Sequence, residues 1–310
     1  MRKNLFISTG YFSTLTAGLV AFCLPQQKRK NYLVIIVSKE FSWNNEIQQE
    51  INNQIFFAKK VAKWHKIIAI KEEDFPLSTY NYNNYNDIIV KSLGTNNFFE
   101  VYVSSLNIAD KLNRIISFKR ISIIDEGIGT YLQIKEYGDL SKFHTFYNFL
   151  PVALASKNIH NVSIPKNLLY KKLHKLNKIY KTPSINFKTY IIAISSFYFI
   201  KNEKKQLIHT YKEYINNLSQ KNIEVKIKLH PRNSLDDFID FKDKILDTNL
   251  PLLDMYLLKN KKYIEGLYSM GSSILFMSKY IYKIPTTFIS DEVQDDYTKK
   301  INEFYTKYIK

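Results

Sequence analysis

The feature that most constrains this chain is an alternation: short apolar runs of strand length, separated by longer amphipathic stretches of helical period. It starts at the N-terminus. Asn4–Ser8 reads as a buried strand, Gly10 as a turn, Ser13–Leu24 as a helix, and Tyr32–Ser38 (YLVIIVS) as a second buried strand. Wholly apolar strands joined by helices pack as a parallel sheet with helices on its faces. Leu5 to Pro25 carries no charge and is flanked by Arg2, Lys3 and by Lys28, Arg29, Lys30, which is also the look of a signal peptide or a membrane span. Ser8, Thr9, Gly10, Ser13, Thr14, Thr16 and Gly18 dilute it and no small-residue cleavage site is clear. The preferred parse is therefore a βαβ unit opening a doubly wound domain.

The alternation runs on. Trp43–Lys66 reads as a helix and Lys66–Ile70 as a strand; residues 75–86 form a polar, aromatic loop carrying Tyr80, Tyr82 and Tyr85; Asp87–Leu93 is ambiguous. Phe98–Val103 is a strand, Asn107–Phe118 a helix and Arg120–Ile124 a strand, followed by lysine-rich helical sequence to about Tyr180 and a linker at Thr182-Pro183-Ser184. A second alternation comprises strand Thr189–Ser195, helix Glu203–Gln220, strand Glu224–Leu229, strand Lys262–Leu267, helix Gly271–Tyr280, strand Thr286–Ile289 and helix Gln294–Lys310. The prediction is an α/β protein of two Rossmann-like domains, 1–180 and 181–310, facing each other across a cleft. The ligand then sits at the carboxyl ends of the strands. The closing helix, with Phe304, Tyr305 and Tyr308, is expected to pack back on the first domain or to touch a membrane.

Composition narrows the partners. One cysteine among 310 residues, Cys23, forms no internal disulfide, and no Cys/His pairs stand at zinc spacing, so a reduced, metal-free globular protein is expected. The formal net charge is +17, which points to an anionic partner, and equally follows from a Lys-, Asn-, Ile- and Tyr-rich, AT-biased coding sequence. Only Arg2, Arg29, Arg114, Arg120 and Arg232 of the 45 Lys+Arg are arginine, and base-reading proteins favour arginine, so nucleic acid is not expected.

Three constellations carry chemistry. In Ile123-Ile124-Asp125-Glu126-Gly127-Ile128-Gly129-Thr130-Tyr131, adjacent carboxylates at a strand end put one acid where a general base belongs; the same residues also read as an acidic helix N-cap. In Lys226-Ile227-Lys228-Leu229-His230-Pro231-Arg232, proline stops a strand and holds His230 at its end among basic neighbours. Such a histidine contacts or protonates a phosphate, or is an ordinary loop residue. In Tyr268-Ser269-Met270-Gly271-Ser272-Ser273, glycine and two serines at a helix start suit a phosphate, or simply cap the helix. Ser195-Ser196 and the turn Ser8-Thr9-Gly10, at the ends of the first strand of each half, are further ligand candidates.

Acid-acid-Gly, then Lys-x-His-Pro, then Ser-Ser, in that order across two Rossmann-like halves, resembles the bacterial sialyltransferases of the GT-B fold. The DEGIGTY run is most similar to glycosyltransferase family 52, with the polysialyltransferases of family 38 next. The resemblance implies an inverting transfer of sialic acid from CMP-sialic acid to a glycan or glycolipid acceptor, with an N-terminal acceptor domain and a C-terminal CMP-sugar domain. It implies Asp125 as general base with Glu126 as fallback, beside Gly127. It implies His230 as acid and phosphate contact next to Pro231, with Lys228, Gly271, Ser272 and Ser273 on the phosphate. Asp254 stands where the family has a ribose-binding glutamate. No cofactor and no metal are implied, and no D-x-D occurs. A cytoplasmic enzyme follows, whose lysines suit peripheral contact with the anionic inner membrane leaflet; a homodimer is compatible with the family. The competing readings are a GT-B transferase of another nucleotide-activated sugar or polyol phosphate, and a non-enzymatic basic binder.

Overall fold

In a computed structural model the chain forms two compact α/β units, Met1–Leu169 and Tyr170–Lys310. The structure describes residues 1–25, 29–38, 47–72, 89–150, 159–196, 204–221, 223–230, 233–246, 250–289 and 296–308. The aromatic loop 75–86 lies outside them.

The first unit contains β1 (Arg2–Ser8), α1 (Tyr11–Cys23), β2 (Arg29–Val37), α2 (Ile47–Val61), β3 (Lys66–Lys71), a short helix α3 (89–93), β4 (Asn97–Val103), α4 (Leu106–Leu112), β5 (Ser117–Ile124), α5 (Ile128–Glu136), β6 (Phe143–Asn148) and β7 (Asn161–Ser163). All seven strands pair in parallel, in the order β3-β2-β1-β4-β5-β6-β7. The winding direction reverses between β1 and β4, so the strand ends there frame the position where a doubly wound sheet binds its ligand.

The charge-free N-terminal segment is explained by burial. Ser13 to Ala21 of α1 are all buried, and Gly18 lets the helix approach α2 so closely that a methyl group at Gly18 would lie 2.2 Å from Val61 Cγ1. A helix enclosed on every side has no face for charge. Among the described residues no helix is long and apolar enough to cross a membrane.

The structure corrects the reading of this unit in two places. Asn107–Phe118 is not one helix: α4 stops at Leu112 and β5 already begins at Ser117. The sequence after Asp125 is not helical through to Tyr180, because β6 and β7 intervene. In β6, FHTFYN, buried residues lie on both faces, which hides the period-two pattern, and β7 is only three residues long.

Helix α6 (Lys166–Ile179) spans the division between the units. The second unit continues with β8 (Thr189–Ala193), α7 (Lys204–Ser219), β9 (Glu224–Lys228), a 3₁₀ stretch Asp236–Lys244, α8 (Leu253–Asn260), β10 (Ile264–Ser269), α9 (Ile274–Phe276) running into a π-helix Met277–Tyr282, β11 (Thr286–Phe288) and α10 (Asp296–Tyr308). Its four strands are parallel, in the order β11-β10-β8-β9, with the reversal between β8 and β10. Residues 182–184 belong to this unit, where Asn260 ties the chain down by accepting from Ile185 N–H and donating to Pro183 C=O. Neither α8 nor the 3₁₀ stretch was expected from the sequence. The ring of Phe304 in α10 stacks on Phe276 at 5.3 Å, and its Tyr305 bonds Thr286, so α10 packs against its own unit.

Candidate active site

In the first unit the acid pair sits at the carboxyl end of β5. Gly127 follows with φ 116°, a conformation that glycine adopts at little cost, and this turns the chain sharply from β5 into α5. Adjacent strand-end residues point opposite ways, and the two carboxylates meet different fates. Asp125 is 2% exposed. Its Oδ1 accepts from Gly127 N–H at 2.7 Å; its Oδ2 accepts from Phe149 N–H at 3.1 Å and from the Tyr131 hydroxyl. Tyr131 in turn accepts from Leu150 N–H at 3.1 Å, so the pair clamps the start of the segment after β6. Burial raises the Asp125 carboxyl to about 6 against these three hydrogen bonds, and burial beside Asp125 holds the Tyr131 proton on its oxygen.

Glu126 is half-buried. Its Oε1 accepts from Thr9 Oγ1 at 3.0 Å, and its N–H donates to Thr130 Oγ1 at 3.2 Å. Thr9 precedes Gly10, so the structure brings the β1 and β5 ends together, and with them Gly10, Asp125, Glu126 and Gly127. A side chain built at Gly10 would meet nothing within 4 Å.

In the second unit the loops after β8, β9 and β10 converge. Asn233 donates from Nδ2 to Ser195 C=O at 2.8 Å and from its backbone to His230 C=O at 2.9 Å, joining the β8 loop to the histidine loop. The Tyr211 hydroxyl accepts from Ser195 N–H at 3.2 Å and from Met270 N–H at 3.0 Å, joining the β8 loop to the Gly271-Ser272-Ser273 loop. His230, Ser196, Gly271, Ser272 and Ser273 are all half-buried at these loops. Lys228 directs Nζ toward Leu250 C=O at 3.4 Å. Pro231 lies outside the described residues. After the serines only Ile274–Phe276 is α-helical before the π-helix begins, and Ser273 makes no side-chain cap.

Asp254 is different. It is 4% exposed, its Oδ1 accepts from the Tyr282 hydroxyl at 2.7 Å, and burial raises its carboxyl to about 6. Its carboxylate is thus turned onto the π-helix rather than to solvent. The sequence reading held Thr9 as a ligand candidate in the turn Ser8-Thr9-Gly10 and had Thr130, Tyr131 and Ser269 inside its motifs without a role; it did not single out Tyr211, Asn233 or Tyr282. Tyr131 was visible inside the DEGIGTY run. Tyr211 lay hidden in the apolar stripe Leu207, Tyr211, Ile215, Leu218 that marks the core face of α7. Among the described residues no group of three or more His, Cys, Asp and Glu stands close enough to hold a metal ion.

Two parallel, doubly wound units, one with an acid pair at a strand end and the other with histidine and serines on converging strand-end loops, are two Rossmann-like domains of the GT-B type. Residues 4–290 match the alpha-2,8-polysialyltransferase family, and the chain belongs to that family. Of the two families its motifs resemble, the match falls on the polysialyltransferases. Among solved structures the chain is similar to the UDP-GlcNAc 2-epimerase of Neisseria meningitidis bound to UDP-GlcNAc, at 12% identity, 98% coverage of this chain, 91% of that one and a TM-score of 0.58. It is also similar to the Methanocaldococcus jannaschii UDP-GlcNAc 2-epimerase, at 12% identity, 100% and 93% coverage and a TM-score of 0.53. An alpha/beta-galactoside alpha-2,3-sialyltransferase from Photobacterium phosphoreum matches at 10% identity, 97% and 94% coverage and a TM-score of 0.47. Likeness at such identity speaks to fold alone. A comparison with curated proteins finds no match.

Proposed function

We propose that this protein is an inverting sialyltransferase that moves sialic acid from CMP-sialic acid to a terminal sugar hydroxyl of a bacterial surface glycan, lipooligosaccharide or capsule. The observation that carries this reading is Asp125, the strand-end carboxylate of a chain whose residues 4–290 match the alpha-2,8-polysialyltransferase family, raised by burial to about 6. A general base works best when its pKa lies near the working pH, because it is then ionised and still strongly basic.

The chemistry divides between the units. Asp125 Oδ1, which accepts one hydrogen bond and has a second lone pair, takes the acceptor proton as the acceptor oxygen attacks the anomeric carbon. Glu126, held by Thr9, orients the acceptor. The bond from the anomeric carbon to the CMP phosphate oxygen breaks through an oxocarbenium-like state, with inversion. Lys228, His230 and the Gly271–Ser273 loop stabilise the leaving phosphate. CMP carries a single phosphate, and those groups suffice for its charge without a metal. Asp254 supports the fold of this unit through Tyr282.

The test compares Asp125→Asn with Glu126→Gln in CMP release from CMP-sialic acid. Loss of about two to four orders of magnitude in Asp125→Asn, with a smaller loss in Glu126→Gln, supports the assignment. The reverse order moves the base to Glu126.

A further inference from the structure

The hydrogen bonds around Tyr211 have a direction that the structure fixes. Ser269 Oγ lies 2.6 Å from Ala193 C=O, and a carbonyl oxygen only accepts, so the Ser269 hydroxyl donates there. Ser195 Oγ, 3.3 Å from Ser269 Oγ, must then donate to it, and the Tyr211 hydroxyl, 3.1 Å from Ser195 Oγ, must donate to Ser195. With its proton so engaged, the Tyr211 oxygen accepts the Ser195 and Met270 N–H groups on its two lone pairs. Tyr211 and Ser269 are fully buried. This closed relay from Tyr211 to Ser195 to Ser269 to Ala193 joins the ends of β8 and β10. These are the two strands between which the sheet reverses direction, where doubly wound sheets bind their ligand.

We propose that Tyr211 is the positioning residue of the donor-phosphate site. Its hydroxyl holds the β8 and β10 loops at one separation, so that Ser196 on one side and Gly271, Ser272 and Ser273 on the other meet the same nucleotide phosphate. Ser195 is spent on the relay and is not a ligand. Asn233 extends the same bracing to the His230 loop. The inference rests on the reading of this unit as the CMP-sugar site. Removing the Tyr211 oxygen takes the acceptor from a buried N–H, that of Met270, and from the part-buried N–H of Ser195, and frees the two loops to shift apart.

The experiment is calorimetric titration of the full chain with CMP, and separately with UDP, for wild type, Tyr211→Phe, Ser269→Ala and Tyr214→Phe. Tyr214 lies on the same helix, its ring against Tyr268, and controls for a Tyr-to-Phe change outside the relay. The proposal expects wild-type CMP binding, a dissociation constant raised about tenfold in Tyr211→Phe, a severalfold rise in Ser269→Ala and none in Tyr214→Phe. In turnover, the donor KM rises while the acceptor KM stays. A dissociation constant unchanged in Tyr211→Phe, even with a lowered melting temperature, makes Tyr211 merely structural and overturns the proposal. Should Tyr211→Phe fail to fold, Ser269→Ala decides between the same two outcomes. If wild type binds UDP and not CMP, the donor reading fails and the positioning role is judged on UDP. Binding of neither overturns both.

Discussion

Asp125 and Glu126 are neighbours of the same charge, yet the fold makes them unlike. Asp125 is enclosed with a raised carboxyl, and Glu126 is half open and held by Thr9. The sequence presented the pair and its glycine but not this division, because which side of a strand end is covered depends on the segment after β6 that Phe149 and Leu150 begin. If Asp125 is the base, kcat/KM falls on the acid side with an apparent pKa near 6, the value to which burial raises it. A pH profile flat from 5 to 8 would remove Asp125 from that role. Gly10 gives a second prediction. Its φ of 170° is ordinary extended backbone and nothing stands within 4 Å of an added methyl group. Gly10→Ala should therefore cost under about 1 kcal/mol of stability, the usual scale of an N-cap change, yet depress turnover by intruding on substrate. Unaltered kinetics would place Gly10 away from the ligand.

At the scale of elements, the legible parts were those with one dominant pattern. Strands β1, β2 and β8 read as apolar runs, β4 as one broken only by Glu100, and α7 as a striped helix. The elements missed lacked such a pattern. In β6 aromatic, polar and basic residues mix, and the first turn of α8 buries Asp254 where a charge argues for solvent. Helix α9 changes to π-helix after three residues and ends at Lys283 with φ 58°, a change of pitch that apolar periodicity does not encode. The Asp254–Tyr282 bond ties that π-helix to α8. Tyr282→Phe should destabilise the protein by about 1–3 kcal/mol, since it removes a hydrogen-bond donor from a buried carboxylate. Adding Asp254→Asn should recover part of the loss by removing the charge. Denaturant midpoints of the two single variants and the double variant measure this; strict additivity would show that the two side chains do not couple.

Over the whole molecule the two-part α/β plan followed from alternation alone, and the family from three short motifs whose order counted for more than any one of them. The charge of +17 identified no partner. Two buried carboxylates give the molecule an opposed pH response. Asp125 and Asp254 both have folded-state values near 6, above the ordinary 3.8. The folded state therefore holds more protons than the unfolded one between those values, and this contribution to stability is complete below about pH 4 and lost as pH rises through 6. Activity should rise across the interval in which these two groups weaken the fold. Melting curves from pH 4 to 7 on Asp254→Asn should lack part of that decline; an identical slope would contradict the assignment.

The most direct test of the central claim is CMP release from CMP-sialic acid in EDTA, with galactose- and sialic-acid-terminated acceptors, for wild type, Asp125→Ala and His230→Ala, each shown to be folded. The account predicts metal-independent turnover by wild type that is lost in both variants. Turnover that survives both substitutions, or a wild type inert with every such acceptor and active with another nucleotide sugar, would contradict it.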